Sequence, residues 1–447
     1  MVNGASNRVV PHWYMYPPKT SFRDCQSMAY DGLGLGNLAR FNAYVHVPFC
    51  NMKCSFCSLF TSAGHNEQAT KKYVDALCKE IDQAFAIIPD AKCDNLYIGG
   101  GTPALLNAED VDPIMLRFNS TVPLGGQTRT VEFSPDVVSE TTVATWRRHG
   151  FNRVSLGVQS LDASRLISMH RHHDGTVALG AIKSLISGGF EFVNVDLIFG
   201  GHGQGPKEWL LDVEQVVASG ADSCTFHPMA TIEKTAFERK LNSTDAELGD
   251  LKEMHAQAIE YFVSAGWSRT SAISFSRTGT PNPIEHSEAY GKETLGFGAG
   301  ARSYLNSLHI STLPAEKRLP FGQVLSAYYE AVDAGRKPAL STVSLSDEEM
   351  VRRSLVLQLH HGLILRETLE RLFEIVDGHD EKQTIDALFA KKLALDVGST
   401  IELSHNIGTT VAELGLIFSS PAVRNAISQT GNAPLARRDG GTHAAET

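Results

Sequence analysis

The sequence predicts an α/β protein: a partial, TIM-like (β/α)6 barrel with a smaller α-rich, winged-helix-like C-terminal domain. Three observations predict it. Short apolar runs alternate with longer helical patterns from about residue 42 to residue 228, the signature of βαβ units and a parallel sheet. Glycines follow several helical stretches where a left-handed cap residue is expected. The polar and glycine-rich motifs fall just after the apolar runs, where parallel α/β folds place their ligands. Six such repeats are too few to close an eight-fold barrel, so the barrel is read as open.

The expected strands are 43–47, 95–98, 130–133, 153–157, 192–199 and 223–226. The helices between them are 69–87, 110–118, 140–149, 176–188 and 206–218, with Ser139 as N-cap of the third. Gly150, Gly189 and Gly220 are the expected helix-ending residues. Beyond Pro228 the alternation fades. A helix is expected over 245–265, a strand over 271–275, a loop over 278–286 and a helix over 320–334. The stretch 295–305 carries Gly296, Gly298 and Gly300 at alternate positions. Past a boundary near Leu340, helices are expected over 346–360, 364–375 and 384–391, a two-stranded wing over 394–403 and a helix from Thr409. The domains then read as an N-terminal arm (1–41), a barrel with its extension (42–340), a small domain over the substrate cavity (341–428) and a disordered tail (429–447).

Composition narrows the function. The chain has 447 residues, 42% hydrophobic and 20% charged, with a net charge of −10. That balance argues against a nucleic-acid binder working by bulk charge. No apolar run reaches the roughly 18 residues of a membrane span. Residues 1–8 are polar and lack a signal-peptide core. Seven cysteines, an odd number without a secretory signal, point to a reducing compartment and a cytoplasmic location. Cys25, Cys78, Cys93 and Cys224 are scattered and read as small buried apolar residues.

The other three cysteines are Cys50, Cys54 and Cys57, spaced C-x3-C-x2-C directly after the first strand. Thiolates so spaced can hold three corners of an iron–sulfur cube, which normally takes four cysteines. One iron is then left open for a ligand that is not protein. Zinc is the plainer alternative, but a structural zinc site wants four ligands, and His46 lies on the strand, where it reads as a packed residue. Gly99-Gly100-Gly101-Thr102-Pro103 follows the second strand, and its bare backbone can approach a ligand closely. Alone the glycine run is weak evidence; after a strand-end cysteine loop it is specific.

With these motifs in hand the sequence resembles the radical S-adenosylmethionine (SAM) enzymes. More narrowly it is similar to the family of oxygen-independent coproporphyrinogen III oxidase (HemN-like). The matching stretches are 44–57, 97–106 (YIGGGTPALL), 131–136 (VEFSPD), 152–162 (NRVSLGVQSLD) and 195–200 (VDLIFG), with a weaker match over 295–305. The resemblance implies that Cys50, Cys54 and Cys57 ligate a [4Fe-4S] cluster, whose fourth iron takes SAM and whose electron releases a 5′-deoxyadenosyl radical. It implies a second SAM beside the first. Tyr44, Gly100, Glu132 and Met229 match first-SAM positions; Phe56, Gly101, Thr102, Gln159, Arg171 and Asp196 match second-SAM positions. Such roles suit the residues: carboxylates accept from ammonium or ribose hydroxyls, an arginine forks onto a carboxylate, and an aromatic ring attracts a cation. Bland readings stand beside them. Tyr44 and Phe56 fit as core aromatics, Gln159 as a strand-end cap, and Arg171, within Met169-His170-Arg171-His172-His173, as part of a solvated turn. Asp196 lies in an apolar run, where a lone carboxylate needs a partner.

The sequence also departs from the oxidase. Leu59 stands where the oxidase has a further cysteine, Arg302 stands where it has an aliphatic residue, and the arm at 10–21 echoes it only loosely. The resemblance therefore points to class C radical SAM methyltransferases and cyclopropanases of natural-product pathways. In that scheme a methylene radical from the second SAM adds to an sp2 carbon. Coproporphyrinogen decarboxylation, anaerobic haem opening and haem chaperoning are the alternatives. The implied partners are a small unsaturated substrate and an electron donor such as flavodoxin or ferredoxin, with neither nucleic acid nor membrane; proton donors and acceptors are not assigned.

Overall fold

The computed structural model describes residues 15–64, 66–119, 128–201, 203–229, 251–316, 318–404 and 410–428. The expected tail at 429–447, residues 1–14 of the arm, the first part of the 245–265 helix and Thr409 lie outside the described residues. Six parallel strands form the centre in chain order: β1 (Arg40–Val47), β2 (Lys92–Gly100), β3 (Thr128–Phe133), β4 (Arg153–Gln159), β5 (Phe192–Phe199) and β6 (Ser223–Pro228). The helices between them are α1 (Glu67–Ile87), α2 (Ala108–Phe118), α3 (Glu140–Arg147), α4 (Ala163–Ser168), α5 (Gly175–Ser187) and α6 (Pro206–Ala218).

Period-two patterning fixes which side chains face which layer. Phe41, Ala43, Val45 and Val47 of β1, like Val193, Val195, Leu197 and Phe199 of β5, are at most 1% exposed and belong to one continuous core. Burying each such side chain is worth about 1.5–3 kcal/mol. The alternate residues of β4 and β5, such as Arg153, Ser155, Asn194 and Asp196, line cavities instead. Barrel interiors are usually packed with branched aliphatic residues. Here the interior is polar, and a polar interior needs something to bind.

The helices start and stop where their chemistry dictates. Asn66 caps α1 by accepting from the Ala69 N–H at 3.0 Å. Ser139 caps α3 in a reciprocal box with Thr142. Gly150, Gly189 and Gly220 all take left-handed φ at the ends of their connections. α4 has no counterpart in the sequence reading; Asp162 caps it, and it carries the chain to Arg171.

The sheet extends beyond the barrel on both sides and does not close. β7 (Ser268–Ser271) and β8 (Ser274–Ser276) form a hairpin on β6, so the single strand expected over 271–275 is corrected to two. The hairpin is tied down from outside: the Ala272 N–H donates to the His360 carbonyl at 2.6 Å. On the other side β9 (Thr294–Phe297) joins β1 in parallel, followed by antiparallel β10 (Arg302–Leu305), β11 (Leu308–Ser311) and β12 (Ser341–Ser344). Arg23 and Asp24 pair with β12 at that edge. Two further helices belong here, α7 (Leu251–Ser264) and α9 (Phe321–Asp333). The loop expected over 278–286 is corrected too: its second half begins α8 (Pro283–Ala289), with Pro283 in the first turn and Asn282 as the cap.

After Leu345 come α10 (Asp347–His360), α11 (Arg366–Ile375), α12 (His379–Ala390), α13 (Thr410–Phe418) and α14 (Pro421–Ser428). The wing is present as β14 (Ala394–Val397) and β15 (Thr400–Leu403), with β13 (Leu363–Leu365) as a third strand. α12 starts five residues earlier than the 384 expected. This unit has its own core, joined by Tyr16 from the arm and by Ala272 and Ile273 from the hairpin. No helix among the described residues is long and apolar enough to cross a membrane.

Candidate active site

A cavity of about 310 Å³ opens at the C-terminal ends of the barrel strands. The cysteine loop forms one wall. It leaves β1 after Val47 and returns on itself, because Phe49–Cys50 pairs with Ser62–Ala63. The glycine run is zipped to it: Gly101 N–H donates to the Val47 carbonyl and Thr102 N–H to the Phe49 carbonyl, both at 2.8 Å. A Cβ on Gly101 would stand 2.4 Å from the Phe49 oxygen and 2.9 Å from Cys50 Sγ. Only glycine lets the second strand end lie against the cysteine loop.

Each of the three cysteines has a polar side chain at its sulfur. Thr102 Oγ1 stands 3.7 Å from Cys50 Sγ, Arg171 Nη1 stands 3.4 Å from Cys54 Sγ, and Thr61 Oγ1 stands 4.0 Å from Cys57 Sγ. Burial pushes the Cys50 thiol up to about 11 and raises Cys57 as well. Among the described residues no three potential ligands converge on a single ion. Sulfurs that grip separate irons of a cube need not converge. None of the remaining cysteines forms a disulfide; Cys78, Cys93 and Cys224 are buried, whereas Cys25 is only half-buried, against expectation.

The carboxylates sit on neighbouring strands. Glu132 accepts from Tyr97 Oη at 2.8 Å and from the Gly100 N–H at 2.9 Å, and burial raises its carboxyl above the ordinary range. Asp196 accepts from Ser155 Oγ and Asn194 Nδ2, each at 2.8 Å. No cation pairs with it among the described residues. Burial, reinforced by the Glu132 charge, pushes its carboxyl up to about 7. Asn194 uses both donors and its carbonyl: Nδ2 reaches Ser155 and Asp196, and Oδ1 accepts from Ser223 and Thr225.

Gln159 ends β4 with φ +71, in the left-handed region a glutamine rarely adopts. The ladder is irregular there, shifting register between Gly157 and Gln159. Bulges of this kind re-aim side chains beside sites. Arg171 donates to Ser134 Oγ at 2.9 Å and to the Gly157 carbonyl at 2.5 Å, while its buried Nε has no partner among the described residues.

The cavity thus brings together Cys50, Cys54, Cys57, Phe56, Gly100, Gly101, Thr102, Glu132, Gln159, Arg171, Asp196 and Met229. Phe56 packs against Met169, Ile198 and Met229. Tyr44 is not on the wall. It lies deeper in β1, bonded to His46 Nδ1 at 3.1 Å and stacked on Tyr97. Period-two geometry puts Tyr44 on the face of buried His46. Sequence reasoning missed Ser134, Ser155 and His227 as lining residues. The first two lie inside the VEFSPD and NRVSLGVQ stretches, and His227 sits two residues beyond Thr225 on the inward face of β6.

Residues 44–216 match the sequence pattern of the radical SAM superfamily. Over that stretch, 173 of the 447 residues, the chain is similar to radical SAM proteins. Its relatives are HemN-like. An anaerobilin synthase of Escherichia coli O157:H7 is 25% identical over 401 residues, 85% of each chain. The heme chaperone HemW of Mycobacterium tuberculosis is 28% identical over 274 residues, 59% of this chain and 70% of that one. The fold matches coproporphyrinogen III oxidase HemN of Escherichia coli, with a TM-score of 0.76 at 19% identity, covering 92% of this chain and 99% of the other.

Similarity to the radical SAM superfamily implies a [4Fe-4S] cluster and SAM, and the residues present fit both. Three thiols stand on one wall with polar side chains at their sulfurs, the kind of hydrogen bonding that tunes such clusters. The Nε of Arg171, unpaired among the described residues, is a donor left for an anionic group beside it.

Proposed function

We propose that this protein uses two SAM molecules to deliver a one-carbon unit to an sp2 carbon of a small unsaturated substrate, by C-methylation or cyclopropanation. The observation that carries this reading is two sets of polar groups on different sides of one cavity. Glu132, tied to Gly100, lies on the β2–β3 side; Gln159, Arg171 and Asp196 lie on the β4–β5 side. When bound, the cluster and SAM supply a 5′-deoxyadenosyl radical.

The chain's residues do the holding. Arg171 offers its unused Nε–H to a carboxylate. Asp196 and Glu132 accept from ammonium or ribose hydroxyl groups. Phe56, Met169, Ile198 and Met229 form an apolar patch that keeps water from the reacting atoms. Holding the reactants in near-contact supplies much of the rate. Leu59, 52% exposed at the cysteine loop, stands in place of the oxidase's further cysteine and favours a reaction other than decarboxylation. Flavodoxin or ferredoxin is the reductant we propose.

Tetrapyrrole chemistry is the second reading, favoured by the match to an anaerobilin synthase along 85% of both chains. Mass spectrometry of the reduced, cluster-loaded protein with methyl-deuterated SAM decides between them, using a panel of unsaturated acceptors that includes haem. The expected result is 5′-deoxyadenosine together with S-adenosylhomocysteine, and deuterium in the product. Deoxyadenosine with no S-adenosylhomocysteine, alongside an opened or decarboxylated tetrapyrrole, overturns the first reading. Stoichiometric haem binding without turnover makes the protein a chaperone.

A further inference from the structure

Inside the barrel lies a second chamber of about 210 Å³, which shares Glu132, Ser155, Asp196 and His227 with the cluster cavity. Part of its wall is α8, whose Ser287 hydroxyl accepts from Asn42 near the start of β1. His360 of α10 closes another side. The lining is rich in hydroxyl and amide groups; Ile273 is its one aliphatic residue among those described.

Two charged groups face this space unpaired. Arg153 is 7% exposed and its guanidinium lies over the Phe192 ring, 3.8 Å from the centroid. Among the described residues it makes no hydrogen bond or ion pair. The Glu285 carboxyl of α8 is likewise without a hydrogen-bond partner among them. The two are close enough to feel each other's charge, yet they form no ion pair. Their open surface is the chamber itself. Other buried charges of this protein are paired, as Lys337 is with Glu80 and Arg353 with Glu288. Leaving the Arg153 guanidinium unpaired at that depth is costly unless a ligand completes it, and the more exposed Glu285 faces the same chamber.

The signs limit that ligand. A simple anion satisfies Arg153 but faces Glu132, Asp196 and Glu285. A simple cation leaves Arg153 unsatisfied. A group carrying an acceptor and a donor side by side satisfies both. We propose that the inner chamber is a substrate subsite for an α-amino-acid end, with the carboxylate on Arg153 and the ammonium on Glu285. The assignment rests on the proposed function in one respect, that the substrate shares this barrel. SAM carries the same chemical end, but in that reading the second nucleotide's carboxylate belongs to Arg171.

The test uses the full-length, cluster-loaded protein and three small probes followed by ligand-observed NMR: L-alanine, propionate and ethylamine. S-adenosylhomocysteine binding is measured in parallel by calorimetry. L-alanine is expected to bind more tightly than either single-charge probe. Glu285→Gln should bring L-alanine down to the level of propionate, about a tenfold loss for one charge-assisted hydrogen bond. Arg153→Gln should abolish binding of L-alanine and propionate alike. Neither change should move S-adenosylhomocysteine affinity more than about twofold, since neither group is assigned to the nucleotide. Glu285→Gln is isosteric, so the test stands even where Arg153→Gln fails to fold. L-alanine binding no tighter than propionate, or unmoved by Glu285→Gln, overturns the proposal. Loss of S-adenosylhomocysteine binding in step with L-alanine assigns the chamber to the nucleotide and overturns the substrate assignment. Wild-type protein that binds L-alanine but no S-adenosylhomocysteine sinks the two-SAM reading and leaves the subsite standing.

Discussion

Two carboxylates in this protein are treated in opposite ways. Glu80, in the seam between α1 and the β9 side of the sheet, is 0% exposed and fully served. It accepts from Lys337 Nζ at 2.7 Å, Tyr328 Oη at 2.9 Å and the Gly298 N–H at 2.8 Å. Asp196, at the cavity, has two neutral donors and no cation among the described residues. Both are withdrawn from water, Glu80 wholly and Asp196 in part; only the seam supplies a countercharge. A carboxylate whose work is structural is completed by the fold, and one left incomplete marks where a ligand completes it.

The largest expected effect breaks the seam. Glu80→Ala leaves the Lys337 ammonium, itself 1% exposed, buried without its partner. The loss should be about 3–5 kcal/mol of unfolding free energy, read by denaturant titration. A loss below about 1 kcal/mol, the range of an exposed pair, would show that the seam is not the completed site described.

The cavity side of the comparison predicts the opposite sign. A free aspartate ionises near pH 4, and Asp196 in the fold near about 7. Between those values the folded state holds a proton that the unfolded chain has released, so stability falls as pH rises through this window and flattens above it. Asp196→Asn removes the group that ionises. The variant should therefore gain on wild type by roughly 1–3 kcal/mol at pH 8 and by little at pH 4. Equal offsets at both pH values would refute the account of Asp196. Next in size is Arg171→Lys, which loses the fork between Cys54, Ser134 and Gly157. S-adenosylhomocysteine affinity should fall about tenfold by calorimetry while thermal stability changes little; unchanged affinity would place Arg171 outside the nucleotide site.

The two regions also differ in how much of them the sequence discloses. The barrel strands were legible because apolar residues recur at alternate positions in short stretches of four to eight residues between the helical patterns. The cluster loop and glycine run were legible because their chemistry is local. The seam was not: Glu80 meets Lys337 across 257 positions, and no spacing rule links them. Helix α8 was hidden by two prolines that read as loop, although one of them is a helix-starting residue. The β7–β8 turn lacks glycine and is held by α10, a contact that local propensity does not encode. Arg153 and Asn194 alternate with Val154 and Val193 in plain sight, yet alternation alone did not say that the polar face encloses a chamber. Tyr44 was assigned by motif, whereas its place is decided by the packing of Tyr97 and His46.

Gln159 is where the two kinds of region can be set against each other within one residue. Its φ of +71 costs backbone strain that a glycine would not incur. A purely structural position under that strain should simply be relieved by Gln159→Gly, offset in part by the greater freedom of glycine in the unfolded chain. The expected stability change is therefore small, at most about 1 kcal/mol, and on the gaining side. Nucleotide affinity should move the other way, because the amide at the cavity wall is gone. Gln159→Asn keeps an amide and tolerates the left-handed region, so it should retain more of the affinity than the glycine variant. Stability and binding falling together in Gln159→Gly would make Gln159 a strand cap and nothing more. Opposite signs would show strain that the fold tolerates in order to present an amide at the cavity.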